Sequence, residues 1–215
     1  MVKKIILVGS THSEKGLSNS RALAQILTKI NPQVIFEERS ISTPEDCPNL
    51  ESQAIRLYQK QRDIIRVPVD LDIKDLIDEE TQFKIHKLFK TFESNDHYQE
   101  LKNFQDGQAI LYGFPFINSK AHEAIMEDMR KLEAFIVQNT NNPEMKLVFD
   151  TWNDIQNKRE NAMISRINAF SSNRNFLTAV FLIGANHLDS IKNLIHNEIS
   201  FDEIGIEWEF HYFKE

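Results

Sequence analysis

The stretch Lys3-Lys4-Ile5-Ile6-Leu7-Val8-Gly9-Ser10-Thr11-His12 decides the fold. Aliphatic residues, several of them β-branched, occupy consecutive positions from Ile5 to Val8, and Gly9 ends the run. A strand buried on both faces of a parallel sheet reads this way, whereas a half-solvated strand alternates. The order of charge followed by apolar residues also begins a signal peptide, but the run is too short for one. No later stretch approaches the ~20 apolar residues of a spanning helix, so neither a targeting segment nor a membrane span is expected.

Working outward, Ser18, Asn19 and Ser20 offer N-caps for a helix carrying Ala22, Leu23, Ile26, Leu27 and Ile30 at helical spacing. Val34-Ile35-Phe36 then forms a second strand, completing a βαβ unit whose crossover is right-handed. A helix over 50–65 and a short third strand at Val67-Pro68-Val69-Asp70 follow. From 72 to about 142 the texture changes to long amphipathic segments rich in Lys, Glu, Phe and Leu, read as a helical insertion or layer within one domain spanning 1–215. Another helix is expected from Pro143 to about Ser171, with Leu147, Val148, Trp152, Ile155, Ala162, Met163 and Ile167 at helical spacing. A second apolar run, Leu177 to Ile183, precedes a helix carrying Ile191, Leu194 and Ile195. The end of the chain alternates, with Ile204, Ile206, Trp208, Phe210 and Tyr212 on one side, as in a half-buried edge strand. The fold class that follows is α/β with a mostly parallel central sheet flanked by helices.

Ile5-Ile6-Leu7-Val8-Gly9-Ser10-Thr11-His12 is echoed by Val180-Phe181-Leu182-Ile183-Gly184-Ala185-Asn186-His187. In an open α/β sheet, ligands bind beyond the carboxyl ends of the strands, so both histidines are placed where loops converge on a crevice. Two imidazoles there suit divalent metal binding or proton exchange near neutral pH. The second strand delivers Glu37-Glu38-Arg39 to the same edge, and strand alternation lets one of the two acids face the site. Asp70 and Asp72 follow the third strand, where capping and solvation compete with a role in the site. On the long helix, Arg159, Met163 and Arg166 share a face. Arg159 could orient a substrate carboxylate or an oxyanion, although Lys158-Arg159-Glu160 also reads as a solvated charge run.

The remaining features narrow the function by exclusion. The 215 residues carry 32 Asp+Glu against 25 Lys+Arg, a net charge of −7, and such a surface repels nucleic acid and anionic membrane. Cys47, the single cysteine, forms no internal disulfide and no thiolate cage, which favours a reducing compartment and a cytoplasmic protein. Glu14-Lys15-Gly16 stands where a phosphate-binding loop needs Gly-Lys-Ser/Thr, and no dinucleotide glycine fingerprint follows the first strand. His86, His97, His122, His196 and His211 are read as structural or surface residues, and Phe83, Phe89 and Phe92 as core or lining.

Taken in order, these segments resemble the TraB/PrgY/Tiki superfamily, which is related to the erythromycin esterase and ChaN-like proteins. Gly9-Ser10-Thr11-His12 and Gly184-Ala185-Asn186-His187 look like its two GxxH strand–loop motifs, Ile35-Phe36-Glu37 like its acidic strand end, and Arg159-Glu160-Asn161-Ala162-Met163 like its helix motif. The resemblance covers both ends of the chain and leaves the middle helices aside. It implies two related halves and a site of His12, Glu37, Arg159 and His187, in a metal-dependent hydrolase of peptide, amide or ester bonds. His12, Glu37, His187 and, more weakly, Asp70 would then hold a divalent ion (Mn, Co or Zn), and the substrate would be a small molecule or peptide. It also implies a rival from another class, a non-catalytic protein that captures a small molecule, a signalling peptide or haem in the same cleft.

Overall fold

The computed structural model describes residues 2–60, 62–197 and 205–213. Five strands, β1 (Lys3–Ser10), β2 (Val34–Glu37), β3 (Ile65–Pro68), β4 (Thr178–Gly184) and β5 (Ile206–Glu209), form one sheet in the order β3-β2-β4-β1-β5. All pairings are parallel, as the consecutive apolar runs of β1 and β4 require. Helices α1 (Ser20–Ile30) and α2 (Leu50–Gln59) carry the chain from β1 through β2 to β3, and α8 (Leu188–Asn197) carries it from β4 to β5. The two paths leave the centre in opposite directions, so the sheet has its topological switch point between β1 and β4. That is where a doubly wound sheet opens a crevice.

Each face of the sheet has its own core. Ile6, Val8, Ile35, Val180 and Leu182 pack on Leu23, Leu27, Ala54, Ile55 and Tyr58 of α1 and α2. Ile5, Leu7, Phe36, Phe181 and Ile183 point the other way, onto Met163, Ile164 and Ile167 of α7 (Pro143–Asn173) and Leu188 and Ile191 of α8. Asn19 caps α1 through its side chain, within the trio expected to do so. The helix expected over 50–65 ends at Gln59, and the third strand begins two residues earlier than expected, at Ile65. The reason is Arg66: from β3 it bonds the buried Glu37 on β2, at 2.6 and 2.9 Å, and an extended backbone there is what brings the two together.

Between β3 and α7 the chain forms α3 (Glu79–Glu93), α4 (Asp96–Tyr112), the short α5 (Phe114–Ile117) and α6 (Lys120–Gln138). Ile85, Leu88, Phe92, Tyr98, Met129 and Val137 bury a third core against Val148 and Ile155, in the N-terminal half of α7. The 31-residue α7 thus serves two cores, the helical layer at its start and the sheet at its end. At the C-terminal edge, Ile206, Trp208 and Phe210 pack on the α7/α8 face while Tyr212 packs on the opposite one, so the alternation ends with the strand. Ile204 lies outside the described residues. Among the described residues no helix is long and apolar enough to cross a membrane.

Gly9 is where β1 meets the helices around the crevice. Asn118 holds its peptide at both ends, accepting from its N–H at 2.7 Å and donating to its carbonyl at 3.1 Å. A Cβ on Gly9 would lie 2.5 Å from Leu188 Cδ1 and 3.2 Å from Asn118 Oδ1. Gly9→Ala is therefore expected to destabilise the protein by about 1–3 kcal/mol through overpacking, measured as a lowered urea midpoint with an unchanged m-value.

Candidate functional site

The strand ends bring the two histidines to one cleft. His12 follows β1 and lies over Gly184, with its Nε2 3.2 Å from where a Cβ on that glycine would stand. His187 ends the single 3-10 turn that joins β4 to α8. The cleft measures about 870 Å³ and is lined by His12, Glu38, Arg159, Glu160 and His187 at the sheet. At the helical layer it is walled by Phe89, Met126, Met129 and Trp152.

The imidazoles differ in character. The His12 side chain is 63% exposed, and its Nδ1 stands 3.3 Å from Glu51 Oε1. That Glu51 oxygen also accepts from Ser10 Oγ at 2.5 Å. The bond from Glu51 holds the His12 pKa above its ordinary value, against the opposing effects of burial and of His187. His187 is buried, with Nδ1 2.6 Å from Glu160 Oε1 and Nε2 3.4 Å from Glu38 Oε1. Burial alone would lower its pKa, but bonding to Glu160 and Glu38 outweighs this and raises it to about 9. At neutral pH His187 is an imidazolium between two carboxylates.

Glu38 joins the parts of the site. Its Oε1 accepts from Arg159 Nη2 at 2.8 Å, and its Oε2 accepts from the Gly184 N–H at 2.5 Å. Burial pushes its carboxyl up, yet His187, His12 and the Gly184 amide together hold it down at about 2. Arg159 forks onto Asp70, with Nη2 2.6 Å from Oδ2 and Nε 3.1 Å from Oδ1, and its Nη1 donates to Gln156 at 2.9 Å. Arg166 donates to the Asp70 carbonyl at 2.5 Å, so both arginines of that helix face converge on one aspartate.

Of the expected residues the structure thus brings together His12, His187 and Arg159, with Asp70 behind the arginine. The acid at this edge is Glu38. Glu37 points to the other face of the sheet, toward α2, and is occupied by Arg66, with Arg39 at 3.7 Å. Strand alternation is the cause: Phe36 and Glu38 share the α7/α8 side, while Ile35 and Glu37 share the α1/α2 side. Arg159 is clamped by three partners, Asp70, Glu38 and Gln156.

Comparison with family models, curated proteins and solved structures yields no match.

Glu160 and Glu51 were not expected at the site, although a signal for each lay in the helical period. Glu160 stands four and seven residues before Ile164 and Ile167, on the apolar stripe of α7, and is buried. Glu51 shares the α2 stripe with Ala54, Ile55 and Tyr58, and is buried too. A carboxylate on the inward stripe of an amphipathic helix requires a polar partner, and each of these two acids has a histidine. Ser190 also donates to Glu160.

A divalent ion needs several converging donors with free lone pairs. The four donors expected for it do not form such a set, because Glu37 and Asp70 bind arginines and His187 faces Glu160 and Glu38. Among the described residues no three His, Cys, Asp or Glu side chains converge in a way that could hold a metal ion.

The His187 charge makes stability depend on pH. Its pKa is higher folded than unfolded, so its contribution is complete below about pH 6.5 and fades as pH rises through about 9. Denaturation of wild type and His187→Gln across pH 6–10 is expected to show a gap of about 1–3 kcal/mol at the acid end. The gap should shrink toward pH 10. A constant gap would mean that folding does not raise the His187 pKa.

Proposed function

We propose that the cleft hydrolyses an amide or ester bond by acid–base chemistry. The observation that carries this reading is the pairing of two unlike imidazoles at one crevice, an exposed His12 backed by Glu51 and a buried, cationic His187 held by Glu160 and Glu38. With Nδ1 turned to Glu51, His12 has Nε2 free to take a proton from water as that water attacks the carbonyl carbon. Negative charge then develops on the carbonyl oxygen, and His187 meets it by turning its Nε2–H, 3.4 Å from Glu38 Oε1, to the substrate. When the tetrahedral adduct collapses, His12 returns the proton to the departing alcohol or amine, leaving a carboxylic acid. Atoms and charge balance with water as the only co-reactant. The resemblance to the TraB/PrgY/Tiki superfamily supports the same reaction class, and the net charge of −7 speaks against a nucleic-acid substrate in favour of a small molecule or peptide.

The test is turnover of a panel of chromogenic esters and amides by the full chain, with chelator and with added Mn²⁺, Co²⁺ or Zn²⁺. Activity that persists in chelator supports metal-free acid–base catalysis. Activity restored only by an ion would return the metal-dependent reading and require the donors to rearrange. Absence of turnover under every condition would favour the non-catalytic rival, for which visible absorption by the purified protein would indicate haem.

A further inference from the structure

The cleft extends well beyond the histidines. At its helical end Tyr98 Oη donates to Glu133 Oε1 at 2.9 Å. The ring of Tyr98 lies 6.0 Å from that of Phe92, Phe92 lies 5.7 Å from Phe89, and Phe89 lies 5.3 Å from Trp152. A carboxylate therefore stands at the end of a continuous aromatic row, with Phe89, Tyr98, Glu133 and Trp152 all lining the cleft.

The other acids around this cavity have cationic partners: Glu93 has Lys102 at 2.6 Å, Asp189 has Arg130 at 2.9 Å, Glu38 has Arg159, and Glu160 has His187. Glu133 is the exception, since among the described residues its one hydrogen bond is the neutral Tyr98 hydroxyl and it enters no ion pair. Arg130, one turn earlier on α6, is near enough to favour its charge but is engaged by Asp189 at the start of α8. Burial raises the Glu133 pKa by more than the Tyr98 bond and the nearby Arg130 lower it, the mark of a carboxylate that has lost water without a contacting cation.

We infer that the helical end of the cleft binds an organic cation on an apolar body, such as the ammonium or guanidinium of a basic amphipathic substrate, with Glu133 as its counter-ion and the Phe89–Trp152 wall as its apolar seat. An ammonium supplies the missing charge and also gains from aromatic faces, so one ligand chemistry satisfies both walls. A cavity of about 870 Å³ holds such a group together with a bond at the histidines. The inference deepens the hydrolase reading by naming the substrate class, and it rests on that reading only for where the scissile bond lies.

Binding to the full chain distinguishes the two, because it needs no turnover. The probes are 4-phenylbutylammonium, 4-phenylbutanol and 4-phenylbutyrate, titrated by calorimetry or ligand-observed NMR into wild type, Glu133→Gln and His12→Gln. The ammonium is expected to bind wild type at least about tenfold tighter than the alcohol, and the carboxylate weakest, a factor of ten being 1.4 kcal/mol. Glu133→Gln should bring the ammonium to the alcohol's affinity while leaving the alcohol unchanged, which also shows that the fold survives. His12→Gln should keep the cation preference. Equal affinities in wild type, tighter binding of the carboxylate, a preference that survives Glu133→Gln, or binding of none of the probes would overturn the inference. A preserved cation preference in a chain that turns over no ester or amide would remove the hydrolase reading alone.

Discussion

His12→Gln is expected to lower kcat on any ester or amide that the protein hydrolyses by about 10²–10⁴-fold, the usual contribution of a positioned general base. The same substitution should cost about 1 kcal/mol or less, because the His12 side chain is 63% exposed and a glutamine amide can still donate to Glu51. Activity and stability are thereby separated. Glu51→Gln supplies the mechanistic check: the carboxylate raises the His12 pKa, so its removal should shift the acid limb of the pH–rate profile to lower pH. A profile that does not move would show that His12 is not the titrating base, and a kcat unchanged in His12→Gln would discard the acid–base mechanism.

Arg159→Met should have the largest effect on folding, about 3–5 kcal/mol, because it strands buried carboxylates without their cation. Asp70 and Glu38 both lose a charged partner, while the Arg159 side chain is itself only 13% exposed, so little water reaches the gap. Arg159→Lys should rescue little, since one ammonium cannot reproduce the fork onto Asp70 and still reach Glu38. Adding Asp70→Asn to Arg159→Met should recover part of the loss, a coupling expected of contacting residues. Urea denaturation of wild type, Arg159→Met, Arg159→Lys, Asp70→Asn and the double variant reads all of this. Losses that simply add would show that Arg159 and Asp70 do not act as a unit.

Which parts of this site were legible in advance follows from the period of each element. β1 and β4 announce themselves as central parallel strands because both faces of each are covered, and unbroken apolar runs such as Ile5–Val8 and Val180–Ile183 have few other uses. The glycine and histidine that follow each run then place an imidazole at the crevice. β2 was legible as a strand, but the choice between Glu37 and Glu38 turns on which face of the sheet each helix covers. The bottom half of the site, Glu51 and Glu160, was written in the helical period as a charge on an apolar stripe. Surrounding charges such as Lys158 masked Glu160.

The sequence by itself determined the α/β class, the parallel sheet and the placing of His12 and His187 at one crevice, because these depend on local periodicity and on the rule that loops gather beyond the strand ends; Arg159 joined them only through the family resemblance, since its own spacing reads as a solvated charge run. Only the tertiary structure decided that Glu38 contacts His187 and Arg159 while Glu37 binds Arg66, that Arg159 is spent on Asp70 and Glu38, and that the cleft runs on to Glu133 in the helical layer. Each of those facts is a pairing between residues 29 to 121 positions apart in the chain, or a shared cavity. Partner choice at that range is set by which surfaces pack together, and no local pattern of charge or hydrophobicity encodes it.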